Sequence, residues 1–107
     1  VGNINAMGFE DFVDKVIKYY TGKVTVVLFG SRARGDHWES SDYDIMVFLE
    51  RVEDPVGEAT RLYSMKRGFS ADILVLSADK VKEPVVVKML EHKKVIYDGL
   101  NIFDDWS

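Results

Sequence analysis

Val24-Thr25-Val26-Val27-Leu28-Phe29-Gly30-Ser31, a ten-residue spacer, and then Asp42-Tyr43-Asp44-Ile45-Met46-Val47-Phe48-Leu49 form the stretch that decides the fold. Both apolar runs have strand length and are rich in β-branched and aromatic residues, so each reads as a β-strand. The first runs into a glycine-serine turn. The second begins beside two carboxylates. Side chains alternate across a strand, so Asp42 and Asp44 share a face, about 6–7 Å apart along the backbone. Two such carboxylates repel in a dry interior, and a hard divalent cation between them removes that cost. Mg2+ takes oxygen ligands of this kind, completed by substrate phosphate oxygens and water. The Gly30-Ser31 turn offers unobstructed backbone and a hydroxyl, both suited to a phosphate. A phosphate holder beside a metal holder makes a nucleotide-handling site.

The remaining chain supplies strands and helices at the right spacing to complete one layer. Phe9, Phe12, Val13, Val16, Ile17 and Tyr20 recur with helical period, predicting a helix over 9–20 with Gly22 as its stop. The near-continuous apolar strand 24–29 is expected to be buried on both faces. Residues 31–41 are polar and predict a short helical turn and loop. Asp54-Pro55 reads as a cap and first residue of a helix running to Arg67, where Gly68 stops it. Residues 71–76 form a third strand. Ser77-Ala78-Asp79 begins a turn, Pro84 opens a helix through His92, and 95–97 form a last strand closed by Asp98-Gly99. The order is α-β-β-α-β-α-β, an α/β or α+β domain with helices packed on a sheet of about four strands. A single domain covers residues 1–107, with its core over about 9–99 and a C-terminal tail at 100–107.

The Gly-Ser turn, the spacer and Asp42-x-Asp44 resemble the signature of the nucleotidyltransferase superfamily related to DNA polymerase beta. The short form Gly30-Ser31-Arg32-Ala33-Arg34-Gly35, followed by Ser41-Asp42, resembles the minimal nucleotidyltransferases, small prokaryotic proteins paired with a helical HEPN partner. The resemblance runs over roughly residues 9 to 99 and implies a mixed sheet and a third carboxylate on a later strand. Asp72, in Ser70-Ala71-Asp72-Ile73-Leu74, fits that place. By the same resemblance Asp42 and Asp44 hold two Mg2+ ions, with Mn2+ able to substitute, and Asp72 joins the ion that activates the nucleophile. Ser31 and the backbone at Gly30 would hold the terminal phosphates. Arg32 and Arg34 would offset leaving-group charge, a task that suits the guanidinium fork. The implied reaction is transfer of AMP from ATP to a hydroxyl of a HEPN-type protein, as the antitoxin of a toxin–antitoxin pair. Two rivals stand beside it: a binding module that neutralises its partner by contact alone, and an enzyme acting on a sugar or antibiotic.

Composition narrows the field further. The 107 residues carry a net charge of −4 and no cysteine. The charge argues against general nucleic-acid binding, which needs a basic face to displace counterions. Zero cysteines exclude a disulfide scaffold or thiolate metal site and fit a reducing cytoplasm, the expected location. No run of about 18 apolar residues appears, so no membrane-spanning helix is expected. The first residues lack the basic start and apolar core of a signal peptide. Thr21-Gly22-Lys23-Val24 is not a P-loop, and Gly30 to Gly35 lacks dinucleotide-fold spacing. Several residues keep two readings. Asp42 is either a ligand or a turn cap, and Asp72 a ligand or a surface residue. Trp38 either stacks on a base or packs on its loop. His37 reads as solvated, and His92 as a complement to a helix dipole. Phe103 and Trp106 either fold back or anchor another chain.

Overall fold

The structure, a computed structural model, describes residues 4–35 and 42–103. Helix α1 (Ile4–Tyr19) leads into β1 (Val24–Phe29), the single-turn α2 (Ser31–Arg34) and β2 (Tyr43–Leu49). Helix α3 (Pro55–Met65) then connects to β3 (Ala71–Ser77). A 3-10 helix (Ala78–Lys82), α4 (Pro84–Met89) and β4 (Lys94–Asp98) complete the order. Among the described residues no helix is long and apolar enough to cross a membrane.

The four strands lie in the order β3-β2-β1-β4. Strand β1 is antiparallel to β2 and to β4, whereas β2 and β3 are parallel. The sheet is therefore mixed, as the family resemblance implied. Strand-to-strand periodicity could not distinguish the two senses. The length of the β2–β3 connection could accommodate either, and α3 provides the crossover a parallel pair needs.

Burial follows the alternation of the strands. Val24, Val26 and Leu28 of β1, with Ile45 and Val47 of β2, pack beneath Phe12 and Val16 of α1 and Leu62 of α3. On the opposite face Val27, Met46 and Phe48 pack under Val81, Val86 and Leu90. The expected two-sided burial of β1 is thus present. Thr25 is its polar exception, fully buried. Its hydroxyl donates to Asp98 Oδ1 at 2.8 Å and accepts from the Leu100 N–H at 3.2 Å. Asp98 also accepts the N–H groups of Ile102 and Phe103, each at 3.0 Å. Burial pushes the Asp98 carboxyl up, but the accepted hydrogen bonds from Ile102, Thr25, Phe103 and Asn101 outweigh it and hold its pKa below the ordinary value. Phe103 lands edge-on against Phe48, ring centroids 6.0 Å apart. Of its two readings, folding back is the one observed; Trp106 lies outside the described residues.

Helix boundaries were the less legible part. Helix α1 starts at Ile4, before the expected start near Phe9. Its end is a Schellman arrangement. The Gly22 N–H reaches the Ile17 carbonyl at 2.8 Å and the Thr21 N–H the Lys18 carbonyl at 3.2 Å. Thr21 itself takes the left-handed conformation (φ 52°) ahead of the expected Gly22. Asp54 caps α3 as predicted, accepting the Gly57 N–H at 3.1 Å. That helix ends at Met65, two residues before Arg67. Helix α4 stops at Met89, so Glu91 and His92 form a turn rather than its last residues.

Candidate active site

Because β2 and β3 are parallel and β1 is antiparallel to both, the start of β2, the start of β3 and the end of β1 meet at one end of the sheet. Asp44 stands between two partners there, Phe29 across one ladder and Asp72 across the other. Strand order thus brings together the three segments that carry the predicted residues. Asp44 and Asp72 face the same side of the sheet as Met46 and Phe48. Asp44 is half-buried, while Asp42 and Asp72 are exposed.

The Gly30-Ser31 turn is pressed against this carboxylate. A Cβ on Gly30 would lie 2.2 Å from Asp44 Oδ2. Its backbone, φ 72° and ψ −152°, occupies a region open essentially to glycine alone. Glycine is needed twice over, for the conformation and for the close approach. From this turn α2 makes a single helical turn, with the Ala33 and Arg34 N–H groups on the Gly30 carbonyl at 3.2 and 3.1 Å. Gly35, left-handed at φ 86°, ends it.

The electrostatics single out Asp44. Burial raises its pKa first, and the negative charges of Asp72 and then Asp42 raise it further. The Arg34 guanidinium acts in the opposite sense. The three predicted carboxylates therefore share one field, with Arg34 on their side. They are not drawn into ligating contact: among the described residues no three His, Cys, Asp or Glu side chains form a ready metal-holding group.

Arg32 goes elsewhere. Its guanidinium carbon sits 3.9 Å from the centroid of the Tyr43 ring. The Tyr43 ring stacks on Phe9, centroids 4.7 Å apart and planes 13° from parallel. Arg32, Phe9 and Tyr43 also line a cleft of about 220 Å3 with Glu10, Leu28, Lys94 and Ile96. Sequence reasoning paired Arg32 with Arg34 and treated Tyr43 only as the first residue of a strand. The available signal was the alternation itself, which turns Tyr43 away from Asp42 and Asp44. His37 and Trp38 lie outside the described residues. His92 is exposed in the turn after α4. Its neighbour Lys93 is half-buried, 5.5 Å from the Phe103 ring, and burial lowers its pKa.

A mixed four-stranded sheet with a Gly-Ser turn abutting paired strand-start carboxylates defines a nucleotidyltransferase fold. The chain belongs to the polymerase beta nucleotidyltransferase family, described as "Polymerase beta, Nucleotidyltransferase", whose match spans residues 13–99. It is a nucleotidyltransferase. A Methanocaldococcus jannaschii protein named "Putative protein adenylyltransferase" is 30% identical over 93 residues, covering 82% of this chain and 93% of its own length. The solved structure of a "putative nucleotidyltransferase" from Sulfolobus solfataricus superposes with a TM-score of 0.63 at 21% identity, over 89% of this chain and 87% of that one. A toxin-antitoxin structure with AMP-PNP superposes with a TM-score of 0.58 at 20% identity, over 90% and 82% of the two chains. At these identities the two structures establish likeness of fold.

Proposed function

We propose that the protein transfers AMP from ATP to a hydroxyl of a HEPN-type partner protein and serves as the antitoxin of a toxin–antitoxin pair in the cytoplasm. The observation that carries the reading is the placement of Asp44 opposite Asp72 on parallel strands, with the Gly30 turn against it. The name of the M. jannaschii relative supports a protein acceptor and an adenylyl group. The toxin-antitoxin neighbour with AMP-PNP supports both the nucleotide and the partner.

The donor set fits a hard divalent cation: it is all oxygen, carries clustered negative charge, and includes one half-buried carboxylate whose ionisation the fold opposes. Asp42, Asp44 and Asp72 would hold one or two Mg2+ or Mn2+ ions, which when bound neutralise phosphate charge and stabilise the entering and leaving oxygens. Backbone at Gly30 and the Ser31 hydroxyl bind the terminal phosphates. Arg34 offsets the charge that builds on the leaving pyrophosphate. The acceptor oxygen attacks the α-phosphorus as the bond to the bridging oxygen breaks, and Asp72 accepts the hydroxyl proton. Such catalysis rests on positioning and electrostatics rather than on a covalent intermediate.

Incubation with labelled ATP, Mg2+ and the partner encoded alongside tests the reading. AMP should remain covalently on the partner, and the Asp42→Ala/Asp44→Ala double variant should bind the partner without labelling it. Full neutralisation by that variant, with no product from the wild type, would establish contact-only inhibition instead.

A further inference from the structure

We propose that Tyr43 and Arg32 form a clamp that fixes the rotation of α2 and so aims Arg34 at the carboxylate side of the sheet. The inference rests on the nucleotidyltransfer reading of that site and assigns a role the sequence did not suggest. Tyr43 lies between Asp42 and Asp44 in the chain, so alternation sends its ring to the opposite face. The ring is held firmly there. It stacks on Phe9 at 4.7 Å, meets Phe69 edge-on at 5.1 Å and is itself buried. Its backbone is fixed too, paired with Ala71 and donating its N–H to the Ser70 carbonyl at 2.9 Å.

Helix α2 has no such stability of its own. It is four residues long, and none of its side chains is buried. A single turn forms only with outside help, because nucleation fixes several dihedrals for few hydrogen bonds. Arg32 supplies that help by laying its guanidinium on the fixed ring at 3.9 Å. Successive helical residues are about 100° apart, so residues two apart point to nearly opposite sides. Holding Arg32 on the Tyr43 face therefore turns Arg34 the other way, toward the side of the sheet that carries Asp44 and Asp72. Tyr43 and Arg32 are positioning residues, and Arg34 is the group that meets the triphosphate.

The test combines backbone dynamics with ligand affinity in Arg32→Ala, Tyr43→Leu and Tyr43→Phe, each checked by thermal melting. NMR order parameters for Ala33 to Gly35 should fall from a rigid value of about 0.85 to below about 0.6 in the first two variants and stay high in Tyr43→Phe. Affinity for Mn2+ with a non-hydrolysable ATP analogue should drop about tenfold in the first two and hold in Tyr43→Phe, a difference of about 1.4 kcal/mol. In an Arg34→Ala background, Arg32→Ala should weaken binding little further, since it acts through Arg34. Unchanged order parameters, or fully additive losses, would overturn the clamp. If Tyr43→Leu does not fold, Arg32→Ala carries the same test. If the wild type binds no analogue, the nucleotidyltransfer reading falls, and the order parameters alone decide the clamp.

Discussion

Asp44 of β2 and Asp72 of β3 stand directly opposite each other in a parallel ladder, on the same face of the sheet. Residues nearly thirty positions apart in the chain thus become neighbours because α3 returns the backbone to run beside β2 in the same sense. Like charges on adjacent strands oppose folding. Retaining them at the end of a buried strand is consistent with a site shaped for a cation and a phosphate chain rather than for stability.

Asp44→Asn should therefore make the metal-free protein more stable at neutral pH. The folded-state pKa of Asp44 lies above its unfolded value, through burial first and then Asp72 and Asp42. Its contribution to stability is fully present below the unfolded value of 3.8 and is lost as pH rises through the folded pKa. Urea unfolding at pH 7 should show the variant above wild type, with the advantage shrinking toward pH 3. A variant less stable than wild type at pH 7 would contradict the assignment.

Divalent metal should reverse that order. Isothermal titration of Mn2+ with a non-hydrolysable ATP analogue should show binding to wild type that chelator abolishes. The same titration should show little or none with Asp44→Ala or Asp72→Asn. Equal affinity in Asp44→Ala would remove the carboxylates from the nucleotide site.

Ser31→Ala and Arg34→Ala should weaken binding of that analogue while changing stability by no more than about 0.5 kcal/mol, since neither side chain is buried. Melting curves alongside the titrations separate the two effects. A large fall in melting temperature with affinity intact would make the turn structural.

Gly30→Ala should do both kinds of damage. The new methyl meets Asp44 Oδ2, and the backbone angles exclude an L side chain. A cost of about 1–3 kcal/mol is expected from the conformation alone, together with loss of nucleotide binding. A folded Gly30→Ala protein with wild-type affinity would show that the turn relaxes freely.

Asp98 carries the opposite pH signature. Its pKa is lowered because four accepted hydrogen bonds outweigh the upward push of burial. Its stabilisation is present above the unfolded pKa and is lost as pH falls through the folded one. Asp98→Ala should cost about 1–3 kcal/mol at pH 7, because Thr25 and the N–H groups of Ile102 and Phe103 lose their acceptor. The gap between variant and wild type should narrow in acid. An unchanged urea midpoint at pH 7 would mean the C-terminal turn is held by Phe103 packing alone.

The sequence by itself determined the strands, the turn and the identity of the acidic and hydroxyl groups. Val24–Phe29 and Tyr43–Leu49 are strands because their side chains alternate between two apolar layers. Gly30 was legible as a side-chain-free turn at a strand end, while its backbone angle and its close approach to Asp44 came only with the structure. What only the tertiary structure decided is which segments meet and which way each side chain turns. Parallel pairing of β2 with β3 depends on how α3 packs across the sheet, and local periodicity carries no record of it. Arg32 and Arg34 look equivalent on the page. They part because a one-turn helix takes its rotation from whatever it packs against, and here that is the ring of Tyr43.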